Sequence, residues 1–131
     1  AFLKSVRAYY LKYRLSNAST QDFISVIQAE NPKIEWDNFF NQWLYNPKIP
    51  LLGIQEKLNK NTVQITLTQE QGGVPFVFPL SLKVQLEDGT EILEHIEVVS
   101  KVFKFDKTYD QKIKGIIYDP NTDLLFEGVI R

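Results

Sequence analysis

His95 is the one histidine in the chain, and it stands in the stretch EILEHIEVV between Glu94 and Glu97. An imidazole beside carboxylates is raw material for a metal site or an acid–base pair. Strand alternation separates these groups. His95 shares a face with Leu93 and Glu97, while Glu94 points the other way with Ile92 and Ile96. One imidazole and one same-face carboxylate fall short of the three or four convergent ligands that zinc takes. The pattern therefore predicts an exposed strand histidine. No serine lies in a G-x-S-x-G turn, no cysteine exists, and no glycine-rich phosphate loop occurs. The carboxylate pairs Glu87/Asp88 and Asp119/Asp123 fall in turns, which favour acidic residues for backbone reasons. The residues thus predict no catalytic, metal-binding or cofactor-binding set.

Something must nevertheless position these side chains. A chain of 131 residues with 44% hydrophobic content fits one domain, or a small domain with an appendage. Its net charge of −1 exerts no global pull on nucleic acid or anionic lipid. Residues 1–48 carry 6 basic and 4 acidic groups, residues 49–131 carry 9 and 12, and neither half is extreme. No apolar run approaches the ~18 residues of a membrane span, so no membrane insertion is expected. Without cysteine, neither a disulfide framework nor a redox compartment is indicated, and the localisation stays open.

Residues 2–15 place Phe2, Leu3, Val6, Tyr9, Tyr10 and Tyr13 along one side of a first helix. Lys4, Arg7, Lys12 and Arg14 cover the other side with no acidic neighbour in the helix, a solvated basic face rather than a nucleic-acid surface. Ser19 to Asp22 reads as a capping box that opens a second helix, and Asn31-Pro32 stops it. The stretch IEWDNFFNQWLY predicts a third helix, with Trp36, Phe39, Phe40, Trp43 and Leu44 in a broad apolar stripe. After Asn46 the period changes to two. Turns are expected at residues 59–61, at Gly72-Gly73, at Asp88-Gly89 as a two-residue hairpin, and at Asp119 to Thr122. Pro79 argues for an edge or a bulge in its strand. The fold class expected is α+β by content: three N-terminal helices (residues 1–48), then a seven-stranded antiparallel β-sandwich of Ig-like type (residues 49–131). The chain has no methionine and opens inside a helical pattern, so an excised piece of a larger protein is expected.

The stretch YYLKYRLSNASTQDFISVIQAENPKIEWDNFFNQWLYNPKIPLL resembles the end of the catalytic domain in aminopeptidase N-type zinc metallopeptidases, the gluzincins. The resemblance runs through Tyr9 and Tyr13, Ala18 to Phe23, Phe39 to Leu44, and Pro50. It continues through Gln69, Phe78-Pro79-Leu80, Asp119-Pro120 and Leu124-Leu125. Phe-Phe-x-Gln-Trp is its most specific part. Lys33 and Lys48 depart from it, standing in turns where the family often has glycine. The resemblance implies that residues 1–48 are the tail of a peptidase catalytic domain and that zinc belongs to the parent protein only. The family's HExxH, downstream glutamate and Gly-x-Met-Glu-Asn stretch are absent, so no catalytic residue transfers to this chain. The partner implied is the parent's own catalytic domain. Trp36, Phe39, Phe40 and Trp43 become the candidate inter-domain interface, one apolar face for the sandwich and one for the absent domain. Left exposed, they would favour self-association.

Two other functions fit the same sequence. One is an extracellular binding module in which Phe76, Phe103 or Tyr109 form a platform for a sugar or peptide. The other is the scaffold part of a peptidase-like pseudoenzyme whose parent lost its zinc.

Overall fold

A computed structural model describes residues 2–131. The chain divides into two compact units, one running to Pro47 and the other spanning Lys48–Arg131. Among the described residues, no helix is long and apolar enough to cross a membrane.

The helical unit contains α1 (Phe2–Tyr13), α2 (Thr20–Glu30) and α3 (Trp36–Phe40), the last continuing as a π-helical turn over Asn41–Tyr45. α2 begins where its capping box places it. The Ser19 N–H donates to Asp22 Oδ2 at 2.8 Å, and the Asp22 N–H donates back to Ser19 Oγ at 3.3 Å. The helix ends on Asn31, ahead of Pro32, which cannot continue it. Ile24 and Ile27 of α2 and Phe40 of α3 form the unit's core, with Phe23 and Trp36 packed against it.

α1 faces α2 differently from its apolar spacing. The residue buried there is Ser5, whose hydroxyl accepts from Asn31 Nδ2 at 3.0 Å. Tyr9 meets Phe23 edge-on at 5.1 Å, and Tyr13 OH donates to Asp22 Oδ1 at 3.1 Å. Phe2, Leu3, Val6 and Tyr10 are exposed instead. The polar bond to Asn31 and the tyrosine contacts with α2 outweigh the apolar count. The basic face also has an acidic neighbour from outside the helix, since Lys4 pairs with Glu30 at 2.8 Å.

The other unit is built from seven strands. They are β1 (Leu51–Asn59), β2 (Thr62–Gln69), β3 (Phe78–Leu86), β4 (Glu91–Val98), β5 (Val102–Thr108), β6 (Ile113–Tyr118) and β7 (Glu127–Ile130). They form two sheets, ordered β5-β2-β1-β7 and β4-β3-β6. Alternation sets the buried rows: Val63, Ile65 and Leu67 on β2, and Phe78, Leu80, Leu82, Val84 and Leu86 on β3. Each such side chain contributes about 1.5–3 kcal/mol by leaving water.

The all-antiparallel expectation fails at one pairing. β7 runs parallel to β1, with Leu51 opposite Glu127 and Ile54 opposite Ile130. Arg131 then reaches Glu70 with two hydrogen bonds, at 2.8 and 3.0 Å. The Glu70 carboxylate lies where a side chain at position 53 would stand, which accounts for Gly53 inside β1. The hairpin at Asp88-Gly89 is also longer than two residues. Gln85 pairs with Glu91, so Glu87, Asp88 and Gly89 make a three-residue loop inside the Leu86–Thr90 pair. Gly89, at φ 87°, supplies the left-handed residue such loops use.

Pro79 sits in the middle strand of its sheet, yet locally it behaves as an edge. It pairs with Glu97 of β4, while the β6 register begins only at Leu82. The missing N–H is therefore not required by a ladder on that side. The sheet's one register shift falls elsewhere, between Gln85 and Leu86. Lys33 and Lys48 are not among the residues with positive φ, so neither turn uses a glycine-like conformation.

Candidate functional site

The two faces of β4 carry different chemistry. His95 lies on the exposed face, its Nδ1 3.1 Å from the Ser81 hydroxyl on β3. Glu94 points the other way. Its Oε1 takes Lys107 Nζ at 2.6 Å and the Tyr109 hydroxyl at 3.2 Å. Lys107 also stands over the Tyr109 ring, 5.5 Å from its centre. Glu94 belongs to one sheet and Lys107 to the other, so this cluster is a polar strut between edge strands β4 and β5. A second strut joins the sheets elsewhere, where Tyr118 OH of β6 donates to Glu56 Oε2 of β1 at 2.8 Å.

Both struts hold a phenol in its neutral form. Burial pushes the Tyr109 hydroxyl well above the ordinary phenol range, and the Glu94 carboxylate adds to the shift. Tyr118 is raised for the same reasons, with burial first and then the bond to Glu56. A raised folded-state pKa gives stability that is complete below the unfolded value near ~10 and is lost as the pH climbs toward the folded value. We expect both phenols to ionise only on unfolding, and the sheet unit to weaken above pH ~10. An alkaline absorbance titration run beside circular dichroism checks this. Tyr118→Phe should flatten the alkaline loss.

At the other extreme of pH, the sensitive groups include one at the start of α2. The Ser19 backbone N–H holds the Asp22 carboxyl below its usual range, helped by the Ser19 hydroxyl and Tyr13. A depressed pKa contributes stability that is complete above the unfolded value near ~3.9 and is lost as the pH falls through the folded one. Far-ultraviolet melts of the wild type should therefore fall in midpoint below pH ~4, and Asp22→Asn should weaken that dependence without abolishing it, because Gln85 and Lys83 hold the Glu91 carboxyl low as well. Ser19→Ala should cost about 1 kcal/mol at neutral pH.

The turn carboxylates keep structural roles. Asp88 Oδ1 accepts from the Thr90 N–H at 2.9 Å, and Glu87 pairs with Lys112. The two oxygens of Asp119 accept from the Asp123 and Leu124 N–H groups, each at 3.0 Å. The turn they brace is closed by the Thr122 N–H on Asp119 O at 3.0 Å. Among the described residues, no group of three or more His, Cys, Asp or Glu side chains could hold a metal ion.

The aromatic candidates separate. Phe40 is spent in the core of the helical unit. Trp36 is half-buried against that core, and its Nε1 donates to Asn31 O at 3.1 Å. Phe39 remains 49% exposed. Trp43 is half-buried on the π-helical turn. The expected single stripe is thus broken, and Leu44 and Tyr45 face outward beyond it. Of the aromatics weighed as a sugar or peptide platform, Phe76 and Tyr109 are buried and Phe103 is half-buried. They form no exposed platform.

The chain matches no protein-family model and no curated protein.

Two constellations have sequence signals in strand phase. Lys107 shares the inward phase of Phe103 and Phe105, and Glu94 that of Ile92 and Ile96, so both charges face inward from edge strands. Gln69 continues the buried phase of Val63, Ile65 and Leu67 and is 2% exposed. Its amide donates to Phe76 O at 2.8 Å and Ser100 O at 3.2 Å, and its oxygen accepts from the Phe76 N–H at 2.8 Å. Gln71 Nε2 donates the second bond to that oxygen, at 2.8 Å, which makes four for the Gln69 side chain.

Proposed function

We propose that this chain is a non-catalytic C-terminal part of an aminopeptidase N-like zinc metallopeptidase. In this reading the helical unit is the tail of the catalytic domain, and the two sheets are an Ig-like β-sandwich behind it. Its role is structural: it supports a catalytic domain that holds the zinc. The observation that carries the reading is the exposed apolar row of α1, formed by Phe2, Leu3, Val6 and Tyr10, with Phe39, Leu44 and Tyr45 also outward in the same unit. So much apolar surface on a few short helices suits a missing partner better than water. The intact Ser19–Asp22 box, within the stretch that carries the family resemblance, supports it as well.

The test is the coding sequence upstream of residue 1, followed by an aminoacyl-substrate assay. We expect an HExxH with a downstream glutamate, zinc-dependent turnover by the whole protein, and none by residues 1–131. Adding residues 1–131 to a parent truncated before them should restore turnover. An upstream frame with no peptidase-like sequence would overturn the proposal. A peptidase-like frame lacking HExxH would turn it into the pseudoenzyme scaffold.

A further inference from the structure

We propose that the open side of the sheet unit, where β4 and β5 border a groove of about 490 Å³, is a docking site for an extended peptide bearing basic side chains. Three features converge there, and none depends on the peptidase reading.

The first is unpaired backbone. Among the described residues, β4 pairs only with β3, and β5 only with β2. The Leu86 N–H donates to Thr90 O at 2.9 Å, which fixes the alternation along β4. Glu91, Leu93 and His95 accordingly turn their peptide groups outward, ready to accept an added strand. The second is shape. Leu86, Ile92 and the Tyr109 ring give the groove apolar surface, and its volume lies within the range of ligand sites.

The third is charge. An inward-facing lysine on an edge strand normally repels an incoming strand. Here Lys107 is neutralised across the gap by Glu94, so that guard is disarmed. Asp88 and Asp110 remain on the groove wall as net negative charge. An added strand with lysine or arginine at alternate positions would meet those carboxylates, while its other side chains faced away. Acidic or uncharged strands would lack that attraction.

Fluorescence anisotropy with a labelled, end-capped hexapeptide of alternating valine and lysine tests this. We expect saturable binding, no binding of the valine–glutamate counterpart, and loss of binding when alternate peptide nitrogens are methylated. D88N/D110N should weaken binding roughly fivefold to tenfold, the asparagine side chain retaining the oxygen that accepts from the Thr90 N–H. Nuclear magnetic resonance should place the largest amide shifts at Leu93 and His95. The proposal is overturned if the lysine peptide does not bind, if the glutamate or methylated peptide binds equally well, or if the shifts fall on β7 instead.

Discussion

Phe78→Ala is expected to lower the unfolding free energy of the sheet unit by about 3–5 kcal/mol. The ring is 1% exposed at the start of β3 and stands opposite Val98, which is 0% exposed. Its removal would leave a cavity in a row that continues through Leu80, Leu82 and Val84, all at most 1% exposed. A domain of this size holds only ~5–15 kcal/mol in total, so the variant should sit close to its unfolding threshold. Urea denaturation followed by amide hydrogen exchange on the strands reads the loss, since both tryptophans lie in the helical unit. Leu93→Ala, on the solvent face of the neighbouring strand, is the control and should stay within ~0.5 kcal/mol. Equal effects at the two positions would contradict the burial pattern of both strands.

Gln69→Leu should be nearly as damaging, by a different mechanism. The substitution keeps the volume and adds apolar surface, so a purely hydrophobic site would tolerate it. At this position it removes all four hydrogen bonds of the Gln69 amide, to Phe76, Ser100 and Gln71. Each buried polar group stranded without a partner costs about 1–3 kcal/mol, and we expect a loss of about 3 kcal/mol or more. Hydrogen exchange should show where the damage falls. Amides in residues 70–77 and at the start of β5 should lose protection first, while the β3–β4 hairpin keeps it. Uniform loss across the sheets would mean that the amide acts on the whole unit.

Legibility in the sequence followed the range of the interactions. The Ser19–Asp22 box closes over three residues and is readable without any tertiary knowledge. The buried rows of β2 and β3 are readable because a strand's two faces alternate. His95 and Glu94 separate onto opposite faces for the same reason. The facing of α1 was not readable. Its apolar residues outnumber Ser5, but Asn31, twenty-six residues away, supplies the bond that draws Ser5 inward. The exposure of Phe39 and Leu44 within the expected stripe was not readable either, nor was the π-helical turn that follows α3. The direction of β7 depends on which edge of the sheet remained open to it, which composition does not encode. The groove between β4 and β5 needs both sheets in place, although the parity of Lys107 and Glu94 foreshadows its strut.

The pairing of β7 with β1 also bears on how the molecule is made. A ribosome releases β1 and β2 well before β7, and they can close as a hairpin through the Lys60-Asn61 turn. One side of β1 then waits, with its amides and carbonyls open, until Glu127 to Ile130 leave the exit tunnel. Between the emergence of β1 and that of β7 the nascent chain therefore presents a raw β-edge to its crowded surroundings, a liability that a chaperone or slow elongation would cover.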